Sequence, residues 1–382
     1  MTQVEYSKGL EGVIAAETTI SIVDGEKGEL YYRGYPISEL AEHSNYEEVT
    51  YLLLYEKLPT KDELAKFSAR MRQSRKLKPE VIEMIKWFPK GGSPMELLQS
   101  VIAYLSATVD HKIQHSATCN CRDTLHQVSQ LAVVLATYSR YREGKAYIES
   151  RADLSHGANF LYLLRGQRPS EEEGKMMDAA LVMHAEHGFN ASTFTARVVA
   201  STMATCYCSI SSAIGALSGP LHGGANEKVM DMIDRIGDVD NVESWIEKAL
   251  AEKRKVMGMG HRVYKAKDPR AIIFDRMLKE LSEKKGDDRL FCMLDAIEKA
   301  FRSRMETKGK PIYPNVDFVS GAVYAMLGIP KYLFIPIFAI ARSAGWLAHI
   351  LEQRKDNRIY RPKGLYAGPE PRPYVPIDQR QV

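Results

Sequence analysis

Apolar residues recur at helical spacing along most of the chain. Residues 46–58 place most of their apolar side chains on one face of a helix, and residues 243–254 and 270–283 repeat an amphipathic pattern. Polar and charged residues occupy the opposite face in each case, as in helices that cover a core. The pattern predicts a protein built largely from helices.

Two helix starts carry their own capping signals. Ser93-Pro94-Met95-Glu96 combines an N-cap serine, a proline at the first helical position and a capping-box glutamate. Ser170-Glu-Glu-Glu173 repeats the device before a run that ends near His187. We therefore predict that helices begin just after Ser93 and Ser170.

The β signal is confined to the beginning of the chain. The segment TTISIV (18–23) is followed by a turn-like DGEKG (24–28) and then by ELYY (29–32), which predicts a short hairpin. No alternation of strands and helices follows, so a parallel α/β sheet is excluded. The predicted fold class is all-α with a short N-terminal β-hairpin.

Two apolar segments raise the question of a membrane. Residues 198–217 carry no charge over twenty positions, but alanine, serine, threonine and cysteine dominate them, and such residues gain little in lipid. We interpret them as one helix buried at the centre of the molecule. Residues 321–341 are also apolar, yet Gly328, Pro330 and Pro336 interrupt them. Neither segment predicts a membrane span.

Length and composition limit the classes of protein that fit. A chain of 382 residues exceeds what one hydrophobic core usually organises, which predicts two domains of unequal size. The net charge of +4, from 52 basic and 48 acidic residues, is too even for a nucleic-acid-binding protein and is compatible with a small anionic substrate.

The five cysteines argue for a reducing compartment. Their number is odd, no secretory signal precedes them, and Cys119-Asn-Cys121 and Cys206-Tyr-Cys208 lack the spacing of zinc or redox sites. We expect them to pack as small apolar residues in a cytoplasmic protein.

Three loops rich in glycine and proline carry the candidate chemistry: residues 218–225, 257–261 and 308–315. His222 lies between glycines in the first, and a helix N-terminus just beyond it would keep the imidazole neutral and donating. The alternative is a turn histidine without a role. His261 follows a G-x-G, whose backbone N–H groups could face a phosphate or a carbonyl.

Basic residues flank His261 on both sides. The run 253–255 is either an anchor for a nucleotide phosphate or the solvated end of a helix. Asp268-Pro269 favours a turn, so we expect Arg270 to point back toward His261 rather than to continue a helix.

Two charged residues stand in unusually apolar surroundings. Asp317 lies among Val316, Phe318 and Val319, which should raise its pKa and suits a general base, although it could instead cap a helix. Arg342 lies inside an apolar helix, where a guanidinium is costly unless it is paired. A substrate carboxylate would explain it, and so would a buried Asp or Glu elsewhere in the protein.

His184 and His187 are three positions apart, so both rings lie on one face of a helix. Metal binding is one interpretation; a ligand contact for one ring and packing for the other is the alternative. Taken together, the candidates suit enolisation of a carbonyl compound beside an anionic electrophile. No dinucleotide fingerprint follows a strand, which excludes hydride transfer, and no P-loop motif supports kinase chemistry.

Four motifs in order give the chain a family resemblance. They are GPLHGGANE (219–227), GMGHRVYKAKDPR (258–270), YPNVDF (313–318) and ARSAGWLAHILEQR (341–354). With these motifs the chain resembles citrate synthases over almost its whole length, and specifically the shorter forms shared with 2-methylcitrate synthases.

The resemblance implies a helical homodimer whose subunits have two domains, with the active site in the cleft between them. The large domain would comprise residues 1–221 and 324–382, and the small domain residues 222–323. The reaction implied is the condensation of acetyl-CoA with oxaloacetate that opens the tricarboxylic acid cycle, by an acyltransferase that converts acyl to alkyl groups on transfer. Acetyl-CoA is a co-substrate; no metal or permanently bound cofactor is implied, and no membrane or nucleic acid.

The resemblance also assigns roles to residues. His222 would hydrogen-bond the thioester carbonyl, Asp317 would remove the methyl proton, and His261 would be the acid at the oxaloacetate carbonyl. The residues matching the oxaloacetate site are His187, Arg270, Arg342 and Arg361, the last donated by the partner subunit. The residues matching the coenzyme A site are Lys255, Val256, Met257, Gly258 and Met259.

Two other functions remain open at this point. A 2-methylcitrate synthase would use propionyl-CoA, whose extra methylene is worth only about 1–3 kcal/mol of discrimination. A non-catalytic, CoA-binding helical protein would lack one of His222, His261 and Asp317. All three residues are present, which argues against that function.

Overall fold

The computed structural model describes residues 7–108 and 125–380. The pair Cys119-Asn-Cys121 lies outside the described residues. Cys208 and Cys292 are free, whereas Cys206 is disulfide-bonded. The expectation that the cysteines only pack as apolar residues is therefore wrong for Cys206.

A small antiparallel sheet opens the described chain. Strands β1 (Ser21–Asp24) and β2 (Glu29–Tyr32) form the predicted hairpin, with Ser21 paired to Tyr32 at its base and Asp24 paired to Glu29 at its tip. A short third strand, β3 (Tyr35–Pro36), pairs with β2 and completes the order β1-β2-β3. The hairpin is confirmed, and the sequence analysis missed only the third strand.

Helices make up most of the rest, which confirms the predicted fold class. The first eight α-helices in the described residues are α1 (Ile37–His43), α2 (Tyr46–Tyr55), α3 (Lys61–Gln73), α4 (Pro79–Trp87), α5 (Pro94–Ala107), α6 (Leu125–Arg142), α7 (His156–Arg165) and α8 (Glu171–Ala185). The next eight are α9 (Ala191–Ser201), α10 (Cys206–Leu217), α11 (Ala225–Ile236), α12 (Val242–Ala251), α13 (Pro269–Lys285), α14 (Arg289–Glu306), α15 (Val316–Met326) and α16 (Phe334–Lys355).

Helix α16 is the centre of the larger group of helices. It packs against α2, α5, α6, α8, α9, α10 and α11. Sixteen of its side chains are buried, from Phe334 to Gln353, because almost every face of the helix meets another element. By length and composition, Lys331–Lys355 could cross a membrane, but 89% of its apolar window is buried inside the protein. It is a core helix, as its burial on all sides requires.

Helices α11–α15 pack mainly on one another. Helix α15 contacts α11, α13 and α14, and α12 packs on α14. This group covers most of the segment 222–323, for which the sequence predicts a separate small domain. The division into two domains, and its boundaries, stay a prediction.

The structure confirms the predicted capping box at Ser170 but not the one at Ser93. At Ser170 both hydrogen bonds of the capping box form with Glu173, as predicted. At Ser93 the helix begins at Pro94 as expected, but the serine side chain makes no capping hydrogen bond. Proline at the first helical position is enough to start that helix, since its fixed φ already suits a helix.

The prediction of one buried helix over residues 198–217 is wrong. The segment contains the end of α9 and the whole of α10, and Met203 between them has a positive φ of 63°. The side chain of Thr205 accepts a hydrogen bond from the Cys208 N–H and so caps a new helix. A threonine hydroxyl can replace a backbone carbonyl as hydrogen-bond acceptor and so begin a new helix. The lack of charged residues in the segment gave no sign of this break. The two helices pack closely against each other.

Candidate active site

The predicted histidines and Asp317 come together beside helix α16. His187 follows α8, His222 precedes α11, His261 precedes α13, and Asp317 lies in the first turn of α15. The ring centroids of His187 and His261 are 5.4 Å apart. The charge of Arg342, in the middle of α16, acts on His187, His222 and Asp317. Residues far apart in sequence therefore form one cluster.

One nitrogen of the His222 ring, Nε2, is hydrogen-bonded to Ser192. Its Nε2 accepts a hydrogen bond from the backbone N–H of Ser192 at 3.1 Å and lies 2.9 Å from the Ser192 Oγ. A backbone N–H can only donate, so Nε2 is the acceptor and a neutral His222 carries its proton on Nδ1. The next helix begins at Ala225, with Gly224 as its N-cap, as the sequence predicted.

The ring of His261 is held in the opposite sense. Its Nδ1 accepts hydrogen bonds from the backbone N–H groups of Val263 at 3.0 Å and Tyr264 at 3.1 Å. A neutral His261 therefore carries its proton on Nε2. The two histidines thus present opposite ring nitrogens as donors, each fixed by main-chain geometry.

Both rings are neutral at ordinary pH. Burial, with a contribution from Arg342, lowers the pKa of His222 to about 4. Burial, with a contribution from Arg270, lowers the pKa of His261 to about 4 as well. The predicted neutral state of His222 agrees with this direction, but the causes are burial and nearby arginines rather than the helix terminus on which the prediction relied. A neutral imidazole has one N–H group, which it can donate to a developing oxyanion.

Asp317 does not cap its helix. The N-cap of α15 is Asn315, whose side chain accepts the Asp317 N–H at 2.9 Å. The structural alternative for Asp317 is therefore wrong. Burial raises the pKa of Asp317 to about 6, against the opposing charges of Arg270 and Arg342. A carboxyl with that pKa is ionised at neutral pH and is still basic enough to accept a proton.

Within the described part of the chain, Arg342 is buried without a carboxylate in direct contact, although the charge of buried Glu186 acts on it. Only 1% of the residue is exposed, its Nε donates to the carbonyl oxygen of His184 at 2.7 Å, and one terminal nitrogen, Nη2, has no hydrogen-bond partner. Among residues 7–108 and 125–380, no carboxylate oxygen lies within 4.0 Å of its guanidinium. Burial lowers its pKa to about 10, so it is charged at neutral pH. The alternative of a direct buried ion pair is not supported.

Arg270 has the partner that Arg342 lacks. Its Nε and Nη2 bond the two carboxylate oxygens of Asp268 at 3.0 and 2.7 Å, and both residues are almost fully buried. Although burial disfavours the charge, Asp268 holds the pKa of Arg270 above its usual value. The expectation that Arg270 does not continue a helix is wrong, because it lies in the first turn of α13. Asp268 was predicted only as part of a turn. Its position two residues before the arginine, at the N-cap of α13, was the available signal.

Tyr264 is a second residue that the sequence analysis overlooked. Its hydroxyl lies 3.1 Å from Nε2 of His187, and its ring is 4.8 Å from that of His261. Burial, together with the charges of Arg270 and Arg342, lowers the pKa of His187 well below its usual value. Tyr264 therefore contacts both His187 and His261. Its position three residues after His261 in the sequence gave no sign of these contacts.

His184 and His187 do not face a common ligand. The ring of His184 packs among Phe274, Tyr324 and Phe338, and neither of its nitrogens has a hydrogen-bond partner. His187 faces Tyr264 and His261 instead. Across the part of the chain that the structure describes, no group of three potential metal ligands occurs.

The loop predicted to bind coenzyme A is joined to the loop before Asp317. Gly260 N–H donates to the Tyr313 carbonyl at 2.8 Å, and Asn315 N–H donates to the Gly258 carbonyl at 2.9 Å. Gly258 has φ 76°, and a Cβ there would lie 2.7 Å from the Cα of Phe318. Glycine is therefore needed for both conformation and space. In the remainder of the loop, Val256 is buried, Met257 and Met259 are partly exposed, and Lys255 is exposed.

Arg361 lies away from this cluster in the single subunit. It lines a separate groove with Phe194, Arg197 and Glu352, and the tail from residue 361 to 380 is exposed throughout. The tail is extended except for a short turn of helix at Ile377–Gln379. Several large apolar side chains on it face solvent: Leu365, Tyr366, Tyr374, Val375 and Ile377.

Comparison with known proteins identifies the family. The family model described as "Citrate synthase, C-terminal domain" matches residues 9–363. The chain belongs to the citrate synthase family.

Curated relatives agree with this assignment. A citrate synthase of Deinococcus radiodurans is 44% identical over 98% of this chain and 99% of its own. A 2-methylcitrate synthase 2 of Corynebacterium glutamicum is 40% identical over 99% of each chain. Both kinds of enzyme in the family are thus similar to this chain over its length.

Solved citrate synthase structures have the same fold. That of Pyrobaculum aerophilum has a TM-score of 0.91 and 41% identity, covering 98% of this chain and 95% of its own. That of Thermoplasma acidophilum, in a ternary complex with carboxymethyl coenzyme A and oxaloacetate, also has a TM-score of 0.91, with 33% identity, covering 98% of this chain and all of its own. Citrate synthases are acyltransferases that need no permanently bound cofactor.

Proposed function

We propose that this protein condenses acetyl-CoA with oxaloacetate and hydrolyses the resulting citryl-CoA to citrate and coenzyme A. The observation that carries the proposal is the pair of neutral histidines, His222 and His261, which are held with opposite ring nitrogens as donors. Beside them lies Asp317, which does not cap its helix. This arrangement provides one base and two donors for two carbonyl oxygens, which is what enolisation and carbonyl addition together require.

In the first step Asp317 removes a proton from the methyl group of acetyl-CoA. The electron pair moves into the thioester, and its oxygen receives the hydrogen bond of the His222 Nδ1–H. The raised pKa of Asp317, about 6, narrows the gap between base and carbon acid. The base and the donor must act together, because the enolate is unstable without the donor.

In the second step the enol carbon attacks the keto carbon of oxaloacetate. The keto oxygen takes up negative charge and receives the proton of the His261 Nε2–H, so His261 is the acid. The proton that Asp317 took from the methyl group then returns the imidazole to its neutral form. The two carboxylates of the electrophile bind Arg342, Arg270 and His187. Arg342 supports this role because it is buried, charged and without an acidic partner within 4.0 Å among the described residues. Bidentate carboxylate binding is what a guanidinium provides best.

In the third step water attacks the thioester carbonyl of citryl-CoA and coenzyme A leaves as the thiol. Water must be excluded before condensation, since premature hydrolysis would waste acetyl-CoA. A small domain, residues 222–323, closing over the large one would exclude it. The Lys255–Met259 loop would bind coenzyme A, with the exposed Lys255 near its phosphates.

We also propose that the enzyme is a homodimer in which Arg361 of one subunit completes the oxaloacetate site of the other. The exposed, extended tail with its large apolar side chains supports this arrangement. Such residues are usually covered in an assembly.

The experiment that tests the proposed reaction measures thiol release by the purified protein with oxaloacetate and either acetyl-CoA or propionyl-CoA. A higher kcat/KM with acetyl-CoA supports citrate synthesis. The reverse order would establish 2-methylcitrate synthesis, to which the 40% identical relative of Corynebacterium glutamicum points. The absence of thiol release with both would overturn an enzymatic function.

A cytoplasmic location is a further proposal. It rests on the odd number of cysteines in the chain, while the disulfide at Cys206 is the observation against it. Counting free thiols in protein alkylated at the moment of cell lysis tests it, because a cytoplasmic protein should be fully reduced.

A further inference from the structure

The tip of the N-terminal hairpin touches the loop that follows His261. Gly25 lies against Val263 so closely that a Cβ at position 25 would overlap the Val263 carbonyl oxygen and lie 2.7 Å from its carbonyl carbon. The Lys265 N–H donates to the Gly25 carbonyl at 2.8 Å. At the other end of the turn, a Cβ on Gly28 would lie 2.9 Å from the Lys267 carbonyl oxygen. The tip therefore packs backbone to backbone along residues 263–267.

The peptide unit that Gly25 touches also holds the catalytic ring. The carbonyl of Val263 and the N–H of Tyr264 belong to one planar trans peptide, so they point in opposite directions. The N–H donates to Nδ1 of His261 at 3.1 Å, while the carbonyl faces Gly25. Rotation of this peptide away from the hairpin would move one of the two N–H groups that keep the proton of His261 on Nε2.

The base of the hairpin is hydrogen-bonded to Glu186, the residue before His187. The Tyr32 hydroxyl donates to the Glu186 carbonyl at 2.8 Å and accepts the Glu186 N–H at 3.2 Å. The Ser21 Oγ donates to the Glu186 carboxylate at 2.9 Å. Glu186 precedes His187 in sequence. The hairpin thus spans from the backbone beside His187 to the peptide beside His261.

We propose that the hairpin tip is a positioning element of the active site, in which Gly25 and Gly28 set the orientation of the peptide that holds His261. These glycines touch no substrate and act through the loop. The proposal rests on the proposed role of His261 as the acid, since it concerns which ring nitrogen carries the proton. The absence of side chains at positions 25 and 28 is what allows the two backbones to meet.

The ion pair at the same contact does not carry this role. Lys265 and Glu26 form it with side chains that are 74% and 71% exposed. Pairs this exposed contribute little to stability, and their long side chains do not fix a backbone. Lys265→Ala should therefore leave kcat within about twofold of wild type.

The first test compares Gly25→Ala with Gly91→Ala. Neither glycine has a left-handed φ, and nothing lies within 4 Å of a Cβ at position 91, so the control adds a methyl group without a contact. We expect Gly25→Ala to lower kcat by about 10- to 100-fold, the usual consequence of a small misplacement of a catalytic group. Gly91→Ala should match wild type.

The second test compares Gly28→Ala with Gly34→Ala, in case the Gly25→Ala variant does not fold. Both glycines lie in the same small sheet with positive φ, 71° and 87°, so both substitutions carry similar backbone strain. Only position 28 faces the His261 loop. A lower kcat for Gly28→Ala than for Gly34→Ala, at similar melting temperatures, supports the proposal. Equal kcat values for the two variants would overturn it.

The decisive readout is the protonation pattern of the His261 ring, measured by ¹⁵N NMR and assigned with His261→Gln. In wild type Nε2 should carry the proton, and in Gly25→Ala the Nδ1 form should become populated. An unchanged wild-type pattern in a folded, slow Gly25→Ala variant would show a merely structural effect and overturn the proposal. If His261→Gln itself keeps full activity, the proposed role of His261 fails instead, which separates the two outcomes.

Discussion

The Ser192 backbone N–H, 3.1 Å from Nε2 of His222, decides which of that ring's nitrogens can serve the substrate. The Ser192 side chain is less important for this, because its Oγ also accepts from the Trp346 Nε1–H and bonds Asn190. The main chain therefore fixes the tautomer, and a change of side chain at position 192 leaves the donor in place.

We expect His222→Ala and Ser192→Ala to differ sharply. Loss of the His222 donor should lower kcat by about 10²–10³-fold, as for other oxyanion donors. Ser192→Ala keeps the backbone N–H and should cost less than about tenfold, the effect of one neutral hydrogen bond. Steady-state kinetics with both substrates saturating checks this. Similar losses for the two variants would mean that the hydroxyl, rather than the backbone, orients the ring.

Asp317→Asn should abolish most of the turnover while leaving the protein folded. Asn cannot accept the methyl proton, so kcat should fall by about 10³-fold or more, with oxaloacetate affinity near wild type. The matched variant is Asn315→Ala, which removes the helix cap and should lower the free energy of unfolding by about 1 kcal/mol. Denaturant titration and calorimetric binding separate the two effects. A destabilised Asp317→Asn with normal kcat would contradict the assignment.

Arg342→Leu should bind oxaloacetate poorly without losing stability. The guanidinium is buried, with one nitrogen lacking a hydrogen-bond partner, so its removal relieves a desolvation cost. The melting temperature should stay the same or rise. Loss of a bidentate carboxylate contact should weaken oxaloacetate binding by about 2–5 kcal/mol. Calorimetry and thermal unfolding measure both quantities; normal binding with a lower melting temperature would indicate a structural arginine.

Activity should fall on the acid side as Asp317 takes up a proton. Its raised pKa of about 6 means that the ionised, active form is lost as pH decreases through 6. His222 and His261, with pKa values of about 4, stay neutral over that range and contribute no limb there. The pH profile of kcat/KM should show a single acid limb near 6. A profile without a limb near 6 would contradict the assignment of Asp317 as the base.

The subunits should complement one another if Arg361 acts in trans. Asp317→Asn and Arg361→Ala are each expected to be inactive, but a mixed dimer would have one site with both lesions and one with neither. Random pairing makes about half of the dimers mixed, so roughly a quarter of wild-type activity should return. No recovery, with mixed dimers verified by mass, would place Arg361 in its own subunit's site.

The residues of the cluster were predictable where their surroundings in sequence are unusual. Asp317 and Arg342 are charged residues in apolar segments, and His222 and His261 lie in glycine-rich loops, so each carries a local signal. Helical spacing likewise predicted α2, α12 and α13, and capping signals predicted the starts of α5 and α8. The break within residues 198–217 was not predicted, because a cap by one threonine leaves the apolar pattern unchanged.

The contacts that orient these residues were not predictable from local sequence. Ser192 is 30 positions from His222, and the hairpin tip is more than 230 positions from the loop it touches. Backbone N–H groups occur at nearly every residue, so no pattern indicates which one will face a ring nitrogen. Only the fold brings these pairs together.

Asp268 connects the arginine of the proposed oxaloacetate site to the helix of the proposed base. Besides its ion pair with Arg270, it accepts the Val316 N–H at 3.3 Å, one residue before Asp317. The starts of α13 and α15 are therefore held to one carboxylate. A movement of either helix start therefore carries the other with it, so the proposed base and the proposed oxaloacetate arginine keep their separation.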